Sequence, residues 1–77
     1  MPHFFFDTYD GLVLSRDKTG LVLDDLDLAR REAVKALPEM ARDVLPNGEE
    51  AQFSVNVRDE AGDTRFRAVL SFRCHWT

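Results

Sequence analysis

One cysteine, Cys74, leaves the chain without an internal disulfide. Small secreted domains usually carry several, so a reducing cytoplasm is the expected compartment. Met1-Pro2-His3 lacks the basic start and long apolar stretch of a secretion signal. Phe4-Phe5-Phe6 is far shorter than the roughly 20 apolar residues a bilayer span needs, so no membrane role is expected. Basic residues are in the minority, 10 against 14 acidic ones, and the formal net charge of -4 disfavours nonspecific nucleic-acid binding by the whole molecule.

Catalytic and ligand-binding patterns are equally scarce. The four glycines, Gly11, Gly20, Gly48 and Gly62, are dispersed turn residues and form no phosphate-binding loop. Zinc needs three or four converging ligands. Adjacent Cys74 and His75 point to opposite faces of an extended chain, and no CxxC or HxxxH spacing occurs. Pro2 removes the amide proton that an amino-terminal copper motif at His3 would have to lose. The same divergence separates Cys74 from a histidine that could activate it as a nucleophile. Asp7, Asp10, Asp17, Asp24, Asp25 and Asp27 match no calcium loop; turn and helix-cap roles account for most of them. No catalytic residue, metal or cofactor is therefore nominated, and the chain is read as a non-enzyme.

What is present is a change of hydrophobic period. Phe53, Val55 and Val57 alternate with Gln52, Ser54, Asn56 and Arg58, the period of a half-buried strand. Leu26, Ala29, Ala33, Leu37, Met40, Ala41 and Val44 instead fall on one side of a helix. Seventy-seven residues, 44% hydrophobic and 31% charged, suit one globular domain over 1–77 near the lower size limit for a self-sufficient core. About 3–5 kcal/mol is what one such core supplies, which makes dimerisation an expectation.

The pattern predicts a two-layer α+β domain of order ββαββ. His3 to Tyr9 is a strand with Phe4 and Phe6 facing the helix. Asp10-Gly11 turns the chain into a short strand over Leu12 to Ser15, and a polar loop ends at Gly20. Leu21 to Leu23 continues as extended chain. The helix starts near Asp25, capped by Asp24 or Asp25, and runs to about Leu45, where Pro46-Asn47-Gly48 stops it. Pro38 removes the bond to the Val34 carbonyl and predicts a kink, or two helices meeting near Leu37. Gln52 to Asp59 and Thr64 to Phe72 form a hairpin with Gly62 at positive φ. Matching apolar faces sets Val57 opposite Phe66, Val55 opposite Ala68 and Phe53 opposite Leu70. The expected core comprises Phe4, Phe6, Leu26, Ala33, Leu37, Met40, Val44, Phe53, Val55, Val57, Phe66, Leu70 and Phe72.

The order of these signals resembles a family of short alphaproteobacterial proteins known only as a domain of unknown function. The resemblance rests on Met1-Pro2 before the aromatic strand, Asp10-Gly11, the Asp-x-x-Gly loop at Asp17-Lys18-Thr19-Gly20, the Asp25-Leu26 helix start, and the strand running into the Asp59-Glu60-Ala61-Gly62 turn. It implies a shared fold, and because the family carries no established activity it gives no catalytic residues to carry over. Pro38 departs from the run of helix formers in that family.

The sheet's outer face is the surface of interest. Alternation places Phe5, Tyr9, Arg58, Arg65, Arg67, Val69 and Arg73 there, among Gln52, Ser54, Asn56 and Ser71. Such a face suits a noncatalytic interaction module whose partner is another protein or a second copy, docking on the outer face or an exposed edge. The alternative is a small nucleic-acid binder using Arg58, Arg65, Arg67 and Arg73.

Overall fold

The computed structural model describes residues 2–44 and 49–77. Five antiparallel strands form one sheet with one helix on its inner face: β1 (His3–Tyr9), β2 (Leu14–Ser15), β3 (Leu21–Val22), α1 (Leu26–Val44), β4 (Glu50–Arg58) and β5 (Thr64–Arg73). The expected α+β class holds. β4 is central, between β1 and β5, and the other edge of β1 carries β2 and β3 end to end.

The apolar alternation fixes the register. Val57 lies opposite Phe66, Val55 opposite Ala68 and Phe53 opposite Leu70, as their pattern requires. Phe53, Val55 and Val57 are fully buried under the helix residues Ala29, Ala33, Leu37 and Ala41. The small helix residues admit close approach to the large strand residues. Each buried strand side chain contributes about 1.5–3 kcal/mol. Phe4 completes the buried cluster, and Phe6, Leu26, Met40, Val44, Phe66 and Leu70 are half-buried around it. Phe72, expected in the core, is also only half-buried, because it lies on the edge strand near its end.

Three local expectations are revised, and at Pro38 one of two alternatives is selected. Leu21–Val22 forms its own strand, pairing with His3 and Phe4, so the order is βββαββ. β2 is confined to Leu14–Ser15 because Leu12 and Val13 belong to the turn, where the Asp10 carboxylate accepts both their N–H groups at 3.0 and 2.8 Å. α1 is one helix through Pro38, not two. Pro38 is exposed while its neighbour Leu37 and Ala41 are buried, so packing holds the turn that the missing hydrogen bond weakens. Finally, a bulge at Val57/Arg58 sets Arg58 opposite Thr64 and leaves Arg65 as the extra residue.

Asp25 caps the helix, accepting the Leu28 N–H at 2.9 Å. The predicted stop at Pro46-Asn47-Gly48 lies outside the described residues. Gly62 has φ +87°, and Asp59 Oδ1 accepts the Ala61 and Asp63 N–H groups to close the hairpin turn. Among the described residues no helix is long and apolar enough to cross a membrane.

Candidate interaction face

Pairing registers map the outer face as rows crossing the strands. One row is Phe5–Arg58–Thr64, the next Asp7–Asn56–Arg67, then Tyr9–Ser54–Val69, followed by Gln52–Ser71 and Glu50–Arg73. The sequence nominated seven residues for this face, and their surroundings differ sharply.

Arg58 is turned into the fold. Its Nε donates to Asp7 Oδ2 at 2.6 Å and its Nη2 to Asp7 Oδ1 at 3.1 Å, a two-pronged pair. Nη2 also donates to the Asp17 carbonyl at 2.9 Å. The Arg58 and Asp7 side chains are only 13% and 11% exposed. The guanidinium stands 5.0 Å from the centre of the Phe5 ring, which stacks on His3 at 4.6 Å. Phe5 is therefore half-buried under its neighbours rather than displayed.

The Asp17-Lys18-Thr19-Gly20 loop covers this cluster. Asp17 donates its N–H to Asp7 Oδ1 at 3.0 Å. Its own carboxylate accepts from Thr19 N and Gly20 N through Oδ1, and from Phe6 N through Oδ2 at 3.1 Å. The Phe6 N–H lies in the gap between the β2 and β3 pairings, so the carboxylate stands in for a strand carbonyl. Gly20 closes the loop at φ +70°, where a Cβ would come 2.6 Å from the Phe4 carbonyl oxygen and 2.7 Å from His3 Nε2. The motif is thus a structural clasp.

Charge follows the same geometry. The Arg58 hydrogen bond holds the Asp7 carboxyl below the usual carboxylate range, against the opposing effect of burial. At Asp17 burial is the largest single influence and pushes upward, but the Gly20, Phe6 and Thr19 N–H groups together outweigh it, so its carboxyl also titrates low. Asp7 in turn raises Arg58.

The remaining arginines lie in three settings. Arg65, the bulge residue, reaches Asp59 at 3.4 Å and lines a hollow with Pro2, Phe4 and Leu26 at the end of the sheet. Thr64, bonded by the Asn56 side-chain amide at 3.2 Å, occupies the outer-face place expected for Arg65. Arg73 pairs with Glu50 at 3.2 Å, both well exposed. Arg67 is exposed and, among the described residues, has no carboxylate partner within ion-pair distance.

Tyr9 and Val69 are the apolar members left open, 37% and 49% exposed. They flank Ser54 in one row, and that small central residue is itself buried between them. A second apolar surface went unnoticed in the sequence. Leu12, Val13 and Leu14, with Leu21 and Val22, are exposed along the far edge of β1, Leu12 by 90%. Its sequence signal is an aliphatic run beside a turn too tight to let β2 lengthen.

Among the described residues no group of three or more His, Cys, Asp or Glu side chains could hold a metal ion. Comparison with the curated proteins and with the solved structures returns no match. A family profile does match, over residues 3–71, which takes in the aromatic strand, the Asp17–Gly20 clasp, the helix and nearly all of the hairpin. The chain belongs to that family, described as Domain of unknown function (DUF6894).

Proposed function

We propose that this protein is a noncatalytic interaction module that associates with a second copy through its sheet. The observation that carries the reading is the Tyr9–Ser54–Val69 row. It places two open apolar side chains on either side of a buried serine, on a domain at the small end of what one core can stabilise. The other ordered polar feature, Asp7–Arg58–Asp17, directs its hydrogen bonds into the fold, which supports a scaffolding role for it rather than a reactive one. A cytoplasmic setting agrees with the free, exposed Cys74.

Pairing of the arginines weighs against the alternative, a nucleic-acid surface. Arg58, Arg65 and Arg73 each hold a carboxylate, and phosphate binding would have to displace it. The test is light scattering across a concentration series, run beside titration with single-stranded RNA at low salt. A concentration-dependent dimer without RNA binding supports the proposal. A monomer throughout, with salt-sensitive RNA binding that weakens when Arg65 and Arg67 become glutamate, replaces it with the alternative.

A further inference from the structure

We infer that the partner of β5's free edge is the same edge of a second copy, paired antiparallel about a dyad at Val69 so that two sheets become one. This rests on the self-association reading and gives it a specific surface.

The two edges of the sheet are built differently. On the β1 side, β2 and β3 are two residues long, and the Asp17 carboxylate occupies the gap between them. That edge is blunted against further pairing. β5 runs ten residues and, among the described residues, has β4 as its only strand neighbour. Its sole irregularity lies at the Arg58 end, leaving Phe66 to Arg73 regular.

Hydrogen-bond parity identifies which groups are free. The Cys74 N–H donates to the Glu49 carbonyl at 2.8 Å, in the same register that pairs Glu50 with Arg73. Bonded pairs alternate along an antiparallel ladder. Phe66, Ala68, Leu70 and Phe72 therefore bond β4, while Arg67, Val69, Ser71 and Arg73 aim N–H and C=O at the free edge.

Side chains choose the register. With Val69 opposite its own copy, Arg67 faces Ser71 of the other copy. On the inner face Ala68 meets Leu70 and Phe66 meets Phe72, small against large and ring against ring. All four inner residues are half-buried here, whereas Val57, Val55 and Phe53 beside the first three are fully buried. A second copy would cover that open side. Arg65 falls opposite Arg73 of the other copy, but the Asp59 and Glu50 carboxylates that these arginines hold offset the like charge, an offset that Arg67 lacks. Sliding by two residues towards the C-terminus sets Arg67 against Arg73, which like charge disfavours. Sliding the other way sets Arg67 against Val69 and leaves Ala68 facing Ala68.

The helix presents an apolar residue on the same flank. Met40 and Asp43 border Thr8, Val13 and Ser15, on the β1–β2 side. Helical spacing then puts exposed Val34 on the opposite flank, over β5.

Four proteins test this: wild type, Ser71→Pro, and Val69→Cys and Arg67→Cys, each in a Cys74→Ser background. Proline at 71 removes an N–H that faces the free edge and spares the bonds to β4. Sedimentation and oxidative cross-linking are read together. The inference expects a wild-type dimer and association weakened by about tenfold or more in Ser71→Pro. It also expects rapid covalent dimerisation of Val69→Cys but not of Arg67→Cys, whose copies lie about 13 Å apart along the paired strands. A dimer that survives Ser71→Pro and cross-links no faster at 69 than at 67 overturns the edge pairing and leaves self-association standing. Open polymers instead of a dimer overturn the dyad. A wild-type monomer at every concentration overturns both.

Discussion

Arg58 grips Asp7 with two nitrogens, at 2.6 and 3.1 Å, on the sheet face opposite the helix. The pair joins β1 to β4 and, through the Asp17 backbone, fastens the loop between β2 and β3. A face that would otherwise be a solvated layer thus carries a second, polar centre of organisation.

Removing one partner strands the other. Arg58→Ala is expected to lower the urea unfolding midpoint, because a carboxylate only 11% exposed loses its counter-charge. Arg58→Lys recovers little of it, since an ammonium cannot reproduce the fork and also reach the Asp17 carbonyl. Urea unfolding of both variants measures the difference; near-full recovery by lysine would show that charge alone matters.

Acid should loosen the same cluster. Asp7 and Asp17 have carboxyls depressed in the folded state. Their contribution is fully present above the unfolded carboxylate value, about pH 4, and is lost as pH falls through the lower folded values. Stability is therefore expected to be flat at neutral pH and to decline below about pH 4. Asp7→Asn should have a shallower decline. A variant whose acid limb matches wild type would place the sensitivity elsewhere.

Two glycines at positive φ should differ in tolerance. Alanine at Gly62 meets nothing within 4 Å and bears only the conformational cost, about 1 kcal/mol. At Gly20 the added carbon would sit 2.6 Å from the Phe4 carbonyl oxygen and crowd the His3 ring. Gly20→Ala is expected to lose at least twice as much in thermal unfolding, and equal losses would contradict the close packing of the clasp.

Pro38→Ala should stabilise. It restores an N–H to an exposed helix interior, a gain of about 1–3 kcal/mol before the unfolded chain's extra freedom is subtracted. The melting temperature is expected to rise, and a fall would mean the proline ring makes a packing contribution.

Much of this structure was legible in the residues. Period-2 alternation gave the hairpin register pair by pair, because a slip by one residue would bury Arg65 and Arg67. Period 3.6 gave the helix and its buried stripe. The candidate face was legible only as a list of outward positions. Alternation says that Arg58 points out, but not that Asp7, 51 residues earlier, and the Asp17 loop meet it there. Nor does it reveal a bulge, which depends on how the Asp59–Asp63 turn closes, so Arg65 was set in the wrong row. Leu21 to Leu23 was legible as extended chain, but so short a segment carries no period to show that it pairs with β1.

The most direct measurement is residue-resolved amide exchange along β5 at low and high protein concentration. In dilute solution Phe66, Ala68, Leu70 and Phe72 should be protected by β4 while Arg67, Val69 and Ser71 exchange quickly. At concentrations where the dimer forms, those three should become protected as well. If they stay fast while scattering reports a dimer, the copies meet elsewhere on the sheet; if they stay fast and the protein stays monomeric, self-association is not what this fold does.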